Sequence, residues 1–173
     1  MKIVVCPLSR VIEMIEIHAP ERIVSMINPG CNFPESGPAY AGRHLRLSFH
    51  DIGMAEDGLI EPSAEHVDEL LAFLADWERS SGILIHCNGG VSRSTAVAFM
   101  AACLHNPSAD EQEIALALRC ASPVARPNRA LVRMADEALG RSGRMIAAIE
   151  DTAHGLPEIT AEENEPFTLP AVY

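Results

Sequence analysis

Cys87 and Arg93 stand in one short stretch, His86-Cys87-Asn88-Gly89-Gly90-Val91-Ser92-Arg93-Ser94, with five residues between the thiol and the guanidinium. A thiolate is a nucleophile toward phosphorus. A guanidinium offers a planar fork that grips two oxygens of a phosphoryl group. Five residues are enough to curl a loop round an anion of that size. Where such a loop runs into a helix, its backbone N–H groups point inward and the helix dipole adds partial positive charge. Gly89 and Gly90 permit backbone angles that side chains penalise. The stretch therefore predicts an anion cradle formed by residues 88–93 round a Cys87 thiolate that the same donors stabilise.

The flanks supply the elements such a cradle needs. Ile83-Leu84-Ile85 reads as a buried strand ending at residue 86. Thr95-Ala96-Val97-Ala98-Phe99-Met100-Ala101-Ala102-Cys103-Leu104 reads as a helix, apolar nearly all round and hence buried. The pattern His-Cys-x-x-Gly-x-x-Arg-Ser, filled by His86, Cys87, Gly90, Arg93 and Ser94, resembles the signature of the cysteine-dependent protein tyrosine phosphatase superfamily. The chain around it is most similar to the compact dual-specificity branch, over roughly residues 1–150.

The resemblance implies a metal-free, cofactor-free phosphatase with two chemical steps. Cys87 attacks phosphorus, and an upstream aspartate protonates the leaving oxygen. Water, deprotonated by that aspartate, then cleaves the cysteinyl-phosphate. Ser94 is expected to hydrogen-bond the departing thiolate. His86, Asn88, Gly89, Gly90, Val91 and Ser92 order the loop or face the substrate. Two aspartates compete for the acid role: Asp51, 36 positions before Cys87, and Asp57, 30 positions before it. Asp51 directly follows a predicted strand, where the family usually carries its acid, and is favoured. Asp57 precedes Gly58 and has the look of a turn aspartate. A bell-shaped, mildly acidic rate profile follows. Pro127-Asn128, at a helix start, resembles a step that relatives carry behind the pocket.

The 173 residues make one domain with a substantial core. A net charge of −11 argues against nucleic acid or an anionic membrane as partner. The uncharged loop 88–92 points toward a phosphoprotein or small phosphate ester rather than a polyanionic lipid headgroup. The opening residues carry too short an apolar run for a signal peptide, and no stretch is long enough to span a bilayer. Five scattered cysteines without a Cys-x-x-Cys pair predict neither a disulfide framework nor a zinc site, and fit a reducing cytoplasm. The seven histidines fall at no ligand spacing. A non-catalytic phospho-ligand binding module is the alternative reading, and a sulfur-transfer enzyme a more distant one.

Periodicity predicts strands at 3–8, 21–27, 44–49 and 83–86. Helices are predicted at 10–17, 62–78, 95–104, 111–120, 128–139 and 144–151. Ser108 with Glu111 reads as a capping box. Trp77 and the stripe Val67, Leu70, Leu71, Leu74 read as core. Strands alternating with helices predict an α/β fold, with a small, largely parallel central sheet flanked by helices. This is the fold that the family resemblance implies. Residues 1–151 are read as the phosphatase-like domain. Residues 152–173, acidic and rich in proline, are read as a poorly ordered or surface-draped tail.

Overall fold

The computed structural model describes residues 1–54, 56–153 and 163–173. Among them, five strands and six α-helices follow the hydrophobic pattern, with the strands concentrated in the N-terminal half and four helices in a row after β4. Strands β1 (Lys2–Pro7), β2 (Arg22–Ile27), β3 (His44–Ser48) and β4 (Ile83–Cys87) are parallel. Strand β5 (Phe167–Pro170) runs antiparallel along β1, and the sheet order is β3-β2-β4-β1-β5. Strands β1, β2 and β4 are buried on both faces, which is why they read as continuous runs of Ile, Val, Leu and Met.

Helix α1 (Val11–His18) covers one face, packing its Val11 and Met14 over Val4, Ile23 and Leu84. The other face carries α2 (Ala64–Ala75), α3 (Arg93–His105), α4 (Glu111–Ala121), α5 (Arg129–Ala138) and α6 (Arg144–Ala153). They pack round Ile3, Val5, Val24, Met26, Ile83 and Ile85. Helix α3 is the hub: every residue from Arg93 to Cys103 is buried, so it can be apolar all round. Trp77 is core as expected, with its Nε1–H donating to the Ser81 carbonyl at 3.1 Å. No helix among the described residues is long and apolar enough to cross a membrane.

Three local expectations are corrected. Helix α2 ends at Ala75, short of residue 78, after a start at Ser63 capped reciprocally by His66. The cap of α4 is Asp110, whose side chain accepts from the Gln112 N–H at 2.9 Å, and not Ser108. The C-terminal stretch is not a loose tail over residues 163–173, of which Phe167–Pro170 form the edge strand β5. Leu169 and Ala171 are buried, and the Tyr173 N–H donates to Asn106 Oδ1 at 3.0 Å. Pro166 precedes and Pro170 ends a strand of only four residues, a placement proline tolerates at a sheet edge but one that hides a strand from its sequence. Residues 154–162 of the expected tail lie outside the described residues.

Candidate active site

Strand alternation decides which way the two adjacent residues at the end of β4 point. Cys87 joins the helix-rich face, and His86 turns to the α1 face. The chain then loops through residues 88–92 into α3, which starts at Arg93. Gly90 adopts φ +71°, and a Cβ there would lie 2.8 Å from the Pro7 nitrogen and 2.9 Å from the Cys6 carbonyl carbon. Both the backbone angle and the room demand glycine. We expect Gly90→Ala to lower stability by at least about 2 kcal/mol and to weaken oxyanion binding in step. Urea unfolding alongside phosphate inhibition would check this.

The loop's carbonyls are held from outside. Leu8 donates to Asn88 O (3.0 Å), Arg126 to Val91 O (2.8 Å) and Asn128 to Ser92 O (3.3 Å), each through its backbone N–H. Asn164 holds the two glycine carbonyls. Among the described residues, no backbone N–H of residues 88–92 is engaged by another backbone group. The inward side of the loop is thus lined by donors.

The predicted side chains converge on this loop. Cys87 is 2 % exposed, and its Sγ lies 3.2 Å from Ser94 Oγ. The Arg93 guanidinium is equally buried. Its Nη1 donates to the Phe49 carbonyl at 2.5 Å and its Nη2 to Asn88 Oδ1 at 2.8 Å. Asn88 Oδ1 also accepts from the Asn28 N–H at 3.0 Å. Arg93 Nε is buried without a hydrogen-bond partner and lies 3.9 Å from Asp51 Oδ2. Asp51 follows β3, with its side chain 34 % exposed. Its Oδ1 accepts from Ser92 Oγ (2.7 Å) and from Asn128 Nδ2 (2.8 Å). Asn128 also caps α5 by accepting from the Leu131 N–H at 3.1 Å, so one amide joins helix, loop and carboxylate.

Asp57 is placed differently. The segment after β3 is closed at its neck by His50 and Ile60, which exchange bonds of 2.7 and 2.9 Å. Asp57 is exposed in the turn at the far end, beside Gly58. Val91 and Ser92 lie in the loop between β4 and α3.

His86 sits over a polar chain that its neighbours in sequence do not announce. Its Nε2 meets Ser25 Oγ at 2.5 Å, the same hydroxyl meets His44 Nε2 at 2.6 Å, and His44 Nδ1 meets Ser36 Oγ at 2.9 Å. Ser25 has one proton, so at least one of the two Nε2 atoms carries a hydrogen. The parallel register, which sets Ser25 opposite His86, makes the chain possible. Burial pushes both imidazoles down to about 4, from an ordinary value near 6.5. The folded protein therefore refuses protons that the unfolded chain accepts. That stability is complete above about pH 6.5 and drains as pH falls toward 4, by up to about 1.4 kcal/mol per pH unit for His86 and less for the part-exposed His44. Urea midpoints should fall between pH 7 and pH 5, and His44→Gln should flatten the slope.

No set of three or more His, Cys, Asp or Glu side chains among the described residues could hold a metal ion. Ser25, His44, Asn164 and the Phe49 carbonyl are site neighbours without a signal in the sequence. The Pro127-Asn128 step was the one hint of the outer shell.

No family model and no curated protein sequence matches the chain. Solved structures do. Human DUSP28 superposes with a TM-score of 0.60 at 19% identity, covering 81% of this chain and 94% of its own. The Yvh1 phosphatase domain from Chaetomium thermophilum gives 0.58 at 17% identity, with 83% and 93% covered. PTPMT1 in complex with PI(5)P gives 0.57 at 16%, with 80% and 90% covered. The α/β arrangement round Cys87 is thus the fold of the cysteine-dependent protein tyrosine phosphatases, in its dual-specificity form.

Proposed function

We propose that this protein is a cysteine-dependent phosphatase that hydrolyses phosphate monoesters through a cysteinyl-phosphate. The observation that carries the reading is the convergence on one loop of a thiol, inward donors, a buried guanidinium with an unpaired Nε–H, and a carboxylate facing it. An unpaired buried donor of this kind is costly unless a ligand completes it, and a phosphoryl oxygen would do so.

In the first step the Cys87 Sγ lone pair forms the S–P bond as the P–O bond to the leaving group breaks, and Asp51 gives that oxygen its proton. Arg93 and the N–H groups of residues 88–93 hold the equatorial oxygens where charge gathers. In the second step water attacks phosphorus, Asp51 takes its proton, and the S–P bond breaks to return the thiolate. Ser94 Oγ, 3.2 Å from the sulfur, is placed to donate to it as it departs. Ser92 and Asn128 hold the Asp51 carboxylate at the mouth.

The substrate class we favour is a phosphorylated protein or small phosphate ester. PTPMT1 has been seen with a phosphoinositide. The loop here, Asn88 to Ser92, carries no cation to match a second phosphate, and the net charge of −11 opposes an anionic bilayer. Five unpaired cysteines fit a reducing compartment, where a thiolate nucleophile persists.

Rapid acid quenching during turnover of p-nitrophenyl phosphate, in reducing buffer with chelator, tests the reading. A phosphoryl adduct mapped by mass spectrometry to Cys87 is the expected result. Turnover that chelator abolishes, or no turnover while phosphate still binds, would replace it with metal-dependent chemistry or with a binding module.

A further inference from the structure

The two carbonyls at the apex of the loop depend on one residue from outside the motif. Asn164 donates its backbone N–H to Gly89 O at 2.8 Å and its side-chain Nδ2 to Gly90 O at 3.0 Å. It is 7 % exposed. Its amide is fixed in turn by Ser122, whose Oγ donates to Oδ1 at 3.1 Å and accepts from Nδ2 at 2.8 Å. The segment carrying it is anchored downstream by β5 against β1. On either side of Asn164 stand the contacts Ser9 to Glu163 at 2.8 Å and Arg10 to Glu165 at 3.3 Å.

These bonds have a geometric consequence. In a trans peptide the C=O and the following N–H point in opposite directions. Pulling Gly89 O outward turns the Gly90 N–H inward, and pulling Gly90 O outward does the same for the Val91 N–H. Gly89 and Gly90 have no side chains to hold those planes, and glycine is the residue most free to rotate them. The other loop carbonyls are held by backbone close in space, from Leu8, Arg126 and Asn128. At the apex the work falls to a residue 77 positions after the nucleophile.

We propose that Asn164 is a positioning residue of the phosphate cradle, fixing the two glycine peptide planes so that the Gly90 and Val91 N–H groups face the oxyanion. This rests on the reading of residues 88–93 as a phosphate cradle. A purely structural role would instead have Asn164 do no more than pin the C-terminal segment to the sheet. Asn164→Leu separates the two. It is near-isosteric, adds no charge near the anion, and keeps the backbone bond to Gly89 O while losing the one to Gly90 O. Leu169→Ala is the comparison, since Leu169 is buried in β5 and belongs to the core. Both are measured against wild type by calorimetric titration with tungstate, by melting temperature, and by kcat and KM on p-nitrophenyl phosphate.

The expected result is tungstate binding weakened about tenfold to a hundredfold in Asn164→Leu, with KM raised. Leu169→Ala should melt lower with tungstate affinity unchanged. Wild-type affinity in Asn164→Leu, or an equal loss in Leu169→Ala, would overturn the assignment while leaving the cradle intact. If Asn164→Leu does not fold, Asn164→Ser, which keeps the backbone N–H and removes the amide, decides by the same comparison. A wild-type protein that binds no tungstate would overturn the cradle reading and this inference with it.

Discussion

Cys87→Ser is expected to lower kcat on p-nitrophenyl phosphate by at least about 10⁴-fold while leaving tungstate binding and the melting temperature nearly unchanged. The two halves of this result have separate causes. A serine hydroxyl keeps its proton at neutral pH and is a poor nucleophile, so the S–P bond that begins the reaction has no equivalent. The cradle, however, is built from backbone. Its carbonyls are held by Leu8, Arg126, Asn128 and Asn164, and its guanidinium by Phe49 and Asn88, through hydrogen bonds that do not involve the sulfur. The oxygen is slightly smaller than the sulfur it replaces and still meets Ser94 Oγ, so the buried pocket neither collapses nor strains. Comparable turnover in wild type and Cys87→Ser would move the chemistry to another nucleophile. Loss of tungstate binding together with turnover would mean that the variant had disturbed the loop rather than the reaction.

The contrast between what the sequence announces and what it hides follows contact distance along the chain. Strand β4, the loop and α3 are contiguous, and each carries a local signature: three apolar residues, two glycines between Cys87 and Arg93, then a helix without a polar face. The parallel sheet likewise shows in runs of β-branched residues that need both faces covered. The supports of the site are another matter. Ser25 lies under His86 only because β2 and β4 pair in one register, and a slip of one residue would turn its hydroxyl to the opposite face. His44 reaches the same hydroxyl from a third strand. Asn164 lies in an acidic, proline-containing stretch whose composition argues for a tail. Its order comes from a sheet edge on β1 that no local pattern records. Asp110 and Ser108 compete for one helix start, and the backbone geometry, not the residue type, chooses between them.

Asp51→Asn should lower kcat/KM by about 10²–10⁴-fold on an alkyl or phenyl phosphate, where the leaving oxygen needs a proton. On p-nitrophenyl phosphate, whose leaving group departs readily as an anion, the loss should be far smaller. Asparagine keeps the geometry: its carbonyl can still accept from Ser92 Oγ and Asn128 Nδ2, and only the ionisable oxygen facing Arg93 is replaced. Asp57→Asn should leave turnover of both substrates as it is, since Asp57 is exposed in a turn beyond the neck that His50 and Ile60 close. The opposite pattern would make Asp57 the acid, and would require the segment after β3 to open at that neck and swing its far end over the loop. A leaving-group dependence present in neither variant would place the proton donor outside this segment. Asp51 would then be a brace holding Ser92 and Asn128 at the rim of the cradle.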